Sequence, residues 1–272
     1  MKFITVGNRS VPAIGLGTYT IKNNEAVDII RKAINLGYRH IDTAQLYENE
    51  SEVGDAIIQS GVPREEIYLV TKVWPSNLSK ERFISSVEES IQKLQTDFVD
   101  LLLIHWPHHA YAVEDYIPML IQAKTSGLAK DIGVSNFNIA QVKAALNTGA
   151  DLVTNQVEFH PWINQVKLQQ KMKEFNIPLT AYCPLAQGRM FHFKNLEMLA
   201  AKYQKSPAQI LLRWFIQQDD ILAIPRSIKL DRLEENINIF DFNIEDDDMA
   251  LIDAWKLENR RFVGAQNGAK WD

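Results

Sequence analysis

The stretch Phe98-Val99-Asp100-Leu101-Leu102-Leu103-Ile104-His105 decides the fold. Its apolar run is too short for an ordinary helix and shows no polar–apolar alternation. A strand buried on both faces reads this way, and such strands belong to parallel sheets covered by helices. Six other short runs share its character: Arg39–Asp42, Ile67–Lys72, Asp131–Val134, Leu152–Val157, Leu179–Cys183 and Ile221–Ile224. Ala13–Leu16 supplies an eighth.

Between these runs lie helical patterns. Ala26–Leu36 carries apolar residues at 26, 27, 29, 30, 33, 34 and 36, and Gly37 follows as a C-cap. Ser79–Leu94, Gln141–Leu146, Lys167–Phe175 and Pro207–Gln217 repeat the theme. Ser79 with Arg82, and Ser206 with Pro207, read as helix starts. Alternating strands and helices imply parallel strands with crossover helices. Eight such units in 272 residues point to an α/β chain forming one (β/α)8 TIM barrel over residues 1–272. A doubly wound open sheet is the alternative. Ahead of the first unit, Lys2–Val6 and Val11–Ile14 flank Gly7-Asn8-Arg9-Ser10, which reads as an N-terminal β-hairpin.

Composition narrows the function. The formal charge of -5 argues against nucleic acid as a partner, because phosphate backbones want a basic surface. The single cysteine, Cys183, excludes an intrachain disulfide and fits a reducing cytoplasm. Residues Met1–Thr5 show no signal-peptide pattern, and no apolar stretch approaches the roughly 18 residues of a membrane span. A cytoplasmic monomer acting on a small molecule is therefore expected, without a membrane partner. His108-His109 lacks metal-ligand spacing, so no metal is expected. No Gly-x-Ser-x-Gly elbow marks a hydrolase.

In a TIM barrel, catalytic groups sit where strands end at the C-terminal face. The polar residue closing each apolar run therefore matters. Arg39-His40-Ile41 ends in Asp42, Ile67–Thr71 in Lys72, and Leu101–Ile104 in His105. These three runs are consecutive strands, about 5 Å apart in a sheet. One charged residue at a strand end is ordinarily a solvated rim group, whereas three on neighbouring strands converge. Tyr47 lies in the loop leaving the Asp42 strand and can fold over the same spot. Together these residues suit carbonyl reduction, in which a nicotinamide delivers hydride and the carbonyl oxygen receives a proton. Tyr47 is the expected donor, although a free phenol has a pKa of about 10. The Lys72 ammonium is expected to lower it, with Asp42 keeping Lys72 charged and aimed. His105 is expected to hydrogen-bond the carbonyl oxygen.

Gly15-Leu16-Gly17-Thr18, Ile41-Asp42-Thr43-Ala44 through Tyr47, Thr71-Lys72 and Leu103-Ile104-His105-Trp106-Pro107 resemble aldo-keto reductase signatures. So do Gly133-Val134-Ser135-Asn136-Phe137, Asn155-Gln156-Val157-Glu158 and Ile224-Pro225-Arg226-Ser227. They occur in family order along essentially the whole chain. Within the family, the chain is similar to the bacterial 2,5-diketo-D-gluconate reductase B and methylglyoxal reductase group. The short segment between Pro107 and Ile117 and the short tail ending Lys270-Trp271-Asp272 carry that similarity.

The resemblance implies a role for each matching position. Asp42, Tyr47, Lys72 and His105 match the catalytic tetrad. Ser135, Asn136 and Gln156 match the residues that hold the nicotinamide carboxamide, and Tyr182 the aromatic stacked under its ring. Gly17, Thr18 and Asp42 match positions beside the cofactor. Pro184, Leu185, Gln187 and Gly188 match the loop near the pyrophosphate. Arg226, Ser227 and Arg232 match the site for the adenosine 2′-phosphate, which makes NADPH the implied cofactor. Glu235 and Asn236 match adenine contacts. Gly15 and Gly17 make no Rossmann fingerprint, since position 20 is Thr20.

Three positions depart from the family pattern: Tyr19 stands where many members carry tryptophan, Arg226 where many carry lysine, and Gln187 where serine is common. Tyr19, Trp74, His105 and Trp106 are the expected substrate contacts, with Trp271 a further aromatic candidate. The implied activity is reduction of small dicarbonyls or keto acids such as methylglyoxal or 2,5-diketogluconate. A non-catalytic NADPH-binding sensor on the same fold is the alternative, and a barrel isomerase acting on phosphosugars is a third reading.

Overall fold

The computed structural model describes residues 1–22, 24–264 and 270–272. Strands β1 (Phe3–Val6) and β2 (Arg9–Pro12) form an antiparallel hairpin in which Val6 faces Arg9. The turn is therefore Gly7-Asn8 alone, two residues rather than the four expected. Gly7 takes the left-handed backbone (φ 58°) that so short a reversal needs.

Eight parallel strands follow: β3 (Leu16–Gly17), β4 (His40–Asp42), β5 (Tyr68–Val73), β6 (Val99–Ile104), β7 (Ala129–Ser135), β8 (Leu152–Glu158), β9 (Leu179–Tyr182) and β10 (Ile221–Ala223). Each pairs with the next in chain order. The first and last meet through a parallel bridge between Ile14 and Ala223. There the Gly15 amide donates to the Ala223 carbonyl (2.9 Å) and the Ala223 amide to Ala13 (2.8 Å). The sheet closes on itself, giving a (β/α)8 barrel with an N-terminal hairpin and excluding the doubly wound alternative. Ala13 and Ile14 serve this closing seam, which is why the first regular strand starts at Leu16 rather than Ala13.

The helices α1 (Asn24–Asn35), α5 (Ile139–Asn147), α6 (Val166–Glu174) and α8 (Pro207–Gln217) overlap the expected ones. Asn138 caps α5 and Ser206 caps α8 by accepting from the backbone amides of Gln141 and Gln209. Helix α3 begins at Phe83 rather than Ser79, because residues 79–82 form a preceding turn. Helices α2 (Glu50–Ser60), α4 (Val113–Thr125), α7 (Lys194–Tyr203), α9 (Leu230–Ile237) and α10 (Asp246–Ala254) were not among the helical patterns read from sequence. Pro118 inside α4 and Gly54 inside α2 are residues that ordinarily break such patterns.

The hairpin covers the N-terminal end of the barrel. Arg9 pairs with Asp100 at the base of β6 and lies 3.4 Å from Asp131 at the base of β7. The Lys2 ammonium donates to the carbonyls of Ile216 and Gln218, ahead of β10. Function is left to the opposite end, where strands β4, β5 and β6 finish. No helix among the described residues is long and apolar enough to cross a membrane.

Gly54 fixes how closely α2 approaches the end of α3. A Cβ there would come within 2.7 Å of the Leu94 backbone. Alanine raises helix propensity by about 1 kcal/mol, but the clash with backbone outweighs it. Gly54→Ala is expected to lower stability by about 1–3 kcal/mol, read as a lower urea midpoint. An unchanged or higher midpoint would show that the two helices separate without cost.

Candidate active site

The barrel's stagger brings the strand ends together. Asp42 on β4 is in register with Val70 on β5, and Lys72 lies two residues further along β5. Lys72 is in register with Leu103 on β6, and His105 lies two residues beyond Leu103. Each functional residue thus steps forward by two on the next strand. That keeps all three side chains on the inward face while following the strand tilt.

Lys72 is fully buried, with its ammonium donating to Asp42 Oδ1 (2.5 Å), to the Thr43 carbonyl (2.9 Å) and, more loosely, to Tyr47 Oη (3.4 Å). Asp42 is also buried, and its other oxygen accepts from Gln156 Nε2 at 2.7 Å. A buried ion pair is tolerable only when such bonds satisfy its remaining donors and acceptors. The Tyr47 ring stands beneath the Lys72 ammonium (4.9 Å to the centroid) and edge-on to His105 (5.5 Å between centroids).

Burial shapes the protonation states. Desolvation, then the Asp42 carboxylate, pushes the Tyr47 phenol well above its ordinary value. The net shift is therefore opposite to the lowering expected from Lys72: its ammonium lies 3.4 Å away, shared with Asp42 and Thr43, and loss of water outweighs its pull on the phenol. Burial pulls the Lys72 ammonium down, with Asp42 opposing. Burial, then Lys72, holds His105 well below the usual imidazole range, so its ring is neutral at neutral pH. A neutral imidazole still donates one hydrogen bond. Its Nδ1 is buried without a hydrogen-bond partner among the described residues.

The residues matched to nicotinamide binding form one network beside this cluster. Ser135 donates to the Gln156 carbonyl (2.8 Å), and Asn136 donates to the His105 carbonyl (3.0 Å). The Tyr182 hydroxyl donates to Asn136 Oδ1 (2.7 Å). Asn136 holds a left-handed backbone (φ 63°), unusual for a non-glycine residue and stabilised here by its side-chain bonds. The loop from Pro184 to Gly188 winds through left-handed conformations at Ala186, Gln187 and Gly188. Thr18 is buried and donates from its hydroxyl to the Asp42 carbonyl (3.0 Å). The Gly17 amide donates to the Pro225 carbonyl (3.0 Å), tying β3 to the segment that leads into Arg226 and Ser227.

Arg226 and Arg232 are exposed, and neither makes an ion pair with a carboxylate among the described residues. Arg226 Nε donates to the Tyr19 carbonyl (3.1 Å), and Ser227 closes a turn onto Lys229. One guanidinium group ahead of α9 and one in its first turn, both without a carboxylate partner among the described residues, are of the chemistry that suits a phosphate. Glu235 is half-buried and Asn236 buried on α9.

Among the positions expected to meet substrate, Trp74 meets His105 edge-on (5.1 Å between centroids), and Tyr19 is exposed beside Tyr47 (5.1 Å). Trp106 is buried, with Trp271 edge-on at 5.9 Å. Sequence reasoning missed three supporting residues. Asn49 accepts from Thr43 Oγ1 (2.7 Å) and donates to the carbonyls of Thr18 and Ile21, locking the Tyr47 loop. Gln45 accepts from the Trp74 amide (2.9 Å). Glu50 is a buried second carboxylate that accepts from Thr71 Oγ1 (2.6 Å), and burial raises its proton affinity. Their only sequence signal is position, close around Tyr47, which says nothing about the partners they find in space.

Comparison with known proteins fits this geometry. The aldo/keto reductase family profile matches residues 13–256. The methylglyoxal reductase DkgB of Escherichia coli O157:H7 is 40% identical over 267 residues, covering 97% of this chain and 100% of the relative. A glyoxal reductase of Bacillus subtilis (strain 168) is 40% identical over 253 residues, covering 92% and 91%. A crystal structure assigned to a 2,5-diketo-D-gluconic acid reductase B superposes with a TM-score of 0.97 at 39% identity, covering 100% of this chain and 98% of that one. With the profile spanning every barrel strand and the buried Asp42–Lys72 pair set beside Tyr47 and His105, this chain belongs to the aldo/keto reductase family of oxidoreductases.

Proposed function

We propose that the chain is an NADPH-dependent carbonyl reductase of small dicarbonyls or keto acids, such as methylglyoxal or 2,5-diketogluconate. One observation carries this reading: the Lys72 ammonium lies 2.5 Å from Asp42 and 3.4 Å from the Tyr47 hydroxyl, with His105 against the same ring. The names of the relatives, methylglyoxal reductase and glyoxal reductase, support the substrate class. The lone Cys183 supports a reducing cytoplasm, where the chain acts as a monomer on a small carbonyl substrate.

NADPH supplies the hydride when bound. Arg226, Ser227 and Arg232 would hold its 2′-phosphate, Ser135, Asn136 and Gln156 its carboxamide, and Tyr182 the face of its ring. Gly17, Thr18 and the Pro184–Gly188 loop would flank it, and Glu235 and Asn236 would meet the adenine. Tyr47 donates the proton to the carbonyl oxygen. Its raised proton affinity guarantees that the phenol is protonated at the start, as a general acid must be. Lys72 stabilises the phenolate that proton donation leaves behind, and Asp42 holds Lys72 in reach. Neutral His105 donates a hydrogen bond that orients the carbonyl oxygen. Trp74, Tyr19 and Trp106 shape the cleft around it.

Two substitutions test this reading. Tyr47→Phe is expected to cut turnover of methylglyoxal by ~100-fold or more, while NADPH affinity measured by fluorescence titration stays near wild type. Turnover close to wild type would take the proton-donor role away from Tyr47. Arg232→Ala is expected to weaken NADPH far more than NADH, since only the former carries the phosphate. Equal weakening of both would mean that Arg232 does not read that phosphate.

A further inference from the structure

Glu158 ends β8 two residues beyond Gln156, and its side chain is fully buried. The reaction described above does not use it. Its two oxygens instead accept the consecutive backbone amides of Phe262 (2.7 Å) and Val263 (3.2 Å), from the C-terminal tail. His160 Nε2 lies 3.2 Å from the oxygen that Phe262 uses. A buried carboxylate needs donors, and two successive tail amides supply them. Neighbouring bonds dock the same segment: the Arg260 amide donates to the Trp162 carbonyl (2.8 Å), and Phe262 packs against His160 (5.1 Å between centroids).

The contact continues toward the reaction centre. Arg261, immediately before the held amides, lays its guanidinium over the Trp271 ring at 3.9 Å. Trp271 in turn meets Trp106, the neighbour of His105. Asp272 accepts the Ile139 amide at the N-terminus of α5 (3.0 Å), and Asn138 donates to the Lys270 carbonyl (3.1 Å). Trp271 is thus held from both sides, by Arg261 and by the α5 cap.

We propose that Glu158 is a positioning residue that latches the C-terminal tail through the Phe262 and Val263 amides, so that Arg261 presents Trp271 as an aromatic wall selecting larger, aromatic aldehydes. The inference rests on the carbonyl-reductase reading for its substrate test, and on that point alone. The carboxylate of Glu158 is taken up by the Phe262 and Val263 amides and His160. It acts through the tail backbone, so its loss changes which aldehydes are held rather than how fast a bound one is reduced.

The test compares Glu158→Gln, Trp271→Ala and the double variant on 4-nitrobenzaldehyde and methylglyoxal. The first substitution keeps the side-chain volume but removes the charge and replaces one acceptor oxygen with a donor. Glu158→Gln is expected to raise KM for 4-nitrobenzaldehyde about tenfold, with kcat and the KM for methylglyoxal moving by less than about twofold. Trp271→Ala is expected to raise the KM for 4-nitrobenzaldehyde to the same extent, and the double variant to raise it no further, because both act through one contact. Losses that multiply, or equal losses on both aldehydes, would overturn the latch. Trypsin reads the tail without turnover: cleavage after Arg260 and Arg261 is expected to accelerate at least fivefold in Glu158→Gln, and an unchanged rate would also overturn it. Should the barrel not tolerate the change, Val263→Pro removes one of the two amide donors with Glu158 intact, and the same shifts are expected. A wild-type protein inactive on both aldehydes would instead remove the proposed function, while the trypsin arm still decides the latch.

Discussion

The buried Lys72–Asp42 pair is the constraint on which the rest of the active end depends. Neither side chain reaches solvent, so each charge is held by its partner and by a small set of bonds from other elements. Gln156 reaches across the barrel from β8 to the free oxygen of Asp42, and the Thr43 carbonyl takes another Lys72 proton. The pair therefore ties β4, β5 and β8 together. Removing one partner would leave an uncompensated charge, a loss on the order of 3–5 kcal/mol in comparable sites. In the proposed reaction, the same two groups fix where Tyr47 and His105 would meet a substrate oxygen.

Around that pair, hydrogen bonds serve rigidity. Asn49 secures the loop that carries Tyr47, Gln45 secures Trp74, and Asn136 links Tyr182 to the His105 backbone. The hairpin closes the opposite end, so polar side chains can converge at one mouth without weakening the apolar interior. At that mouth burial has the last word on protonation. It favours the protonated phenol and the neutral imidazole, the forms that the roles proposed for Tyr47 and His105 require.

Much of this was legible in the sequence because strands buried on both faces leave continuous apolar runs. The residue that breaks each run marks the strand end, which is how Asp42, Lys72 and His105 stood out. The order of the runs pointed to the barrel, although its closing seam at Ile14 and Ala223 depends on one bridge that no periodicity announces. Helices whose stripe is interrupted, α4 by Pro118 and α2 by Gly54, escaped a reading based on period. The direction of the Tyr47 shift also escaped it, since sequence places Lys72 near Tyr47 but cannot show how completely water is excluded. Glu158 was visible as part of a motif, yet its partners lie more than a hundred residues away in the tail.

The central claim is that the Lys72 charge, and not merely its bulk, makes Tyr47 an effective acid. Lys72→Met keeps much of the aliphatic stem and removes the ammonium. Single-turnover stopped-flow measurement of NADPH oxidation with methylglyoxal, on variant protein shown by circular dichroism to be folded, isolates the hydride step. The account predicts a fall in that rate of roughly 100-fold or more, with NADPH affinity retained. A normal hydride rate in the folded variant would contradict it and reduce Lys72 to a packing residue.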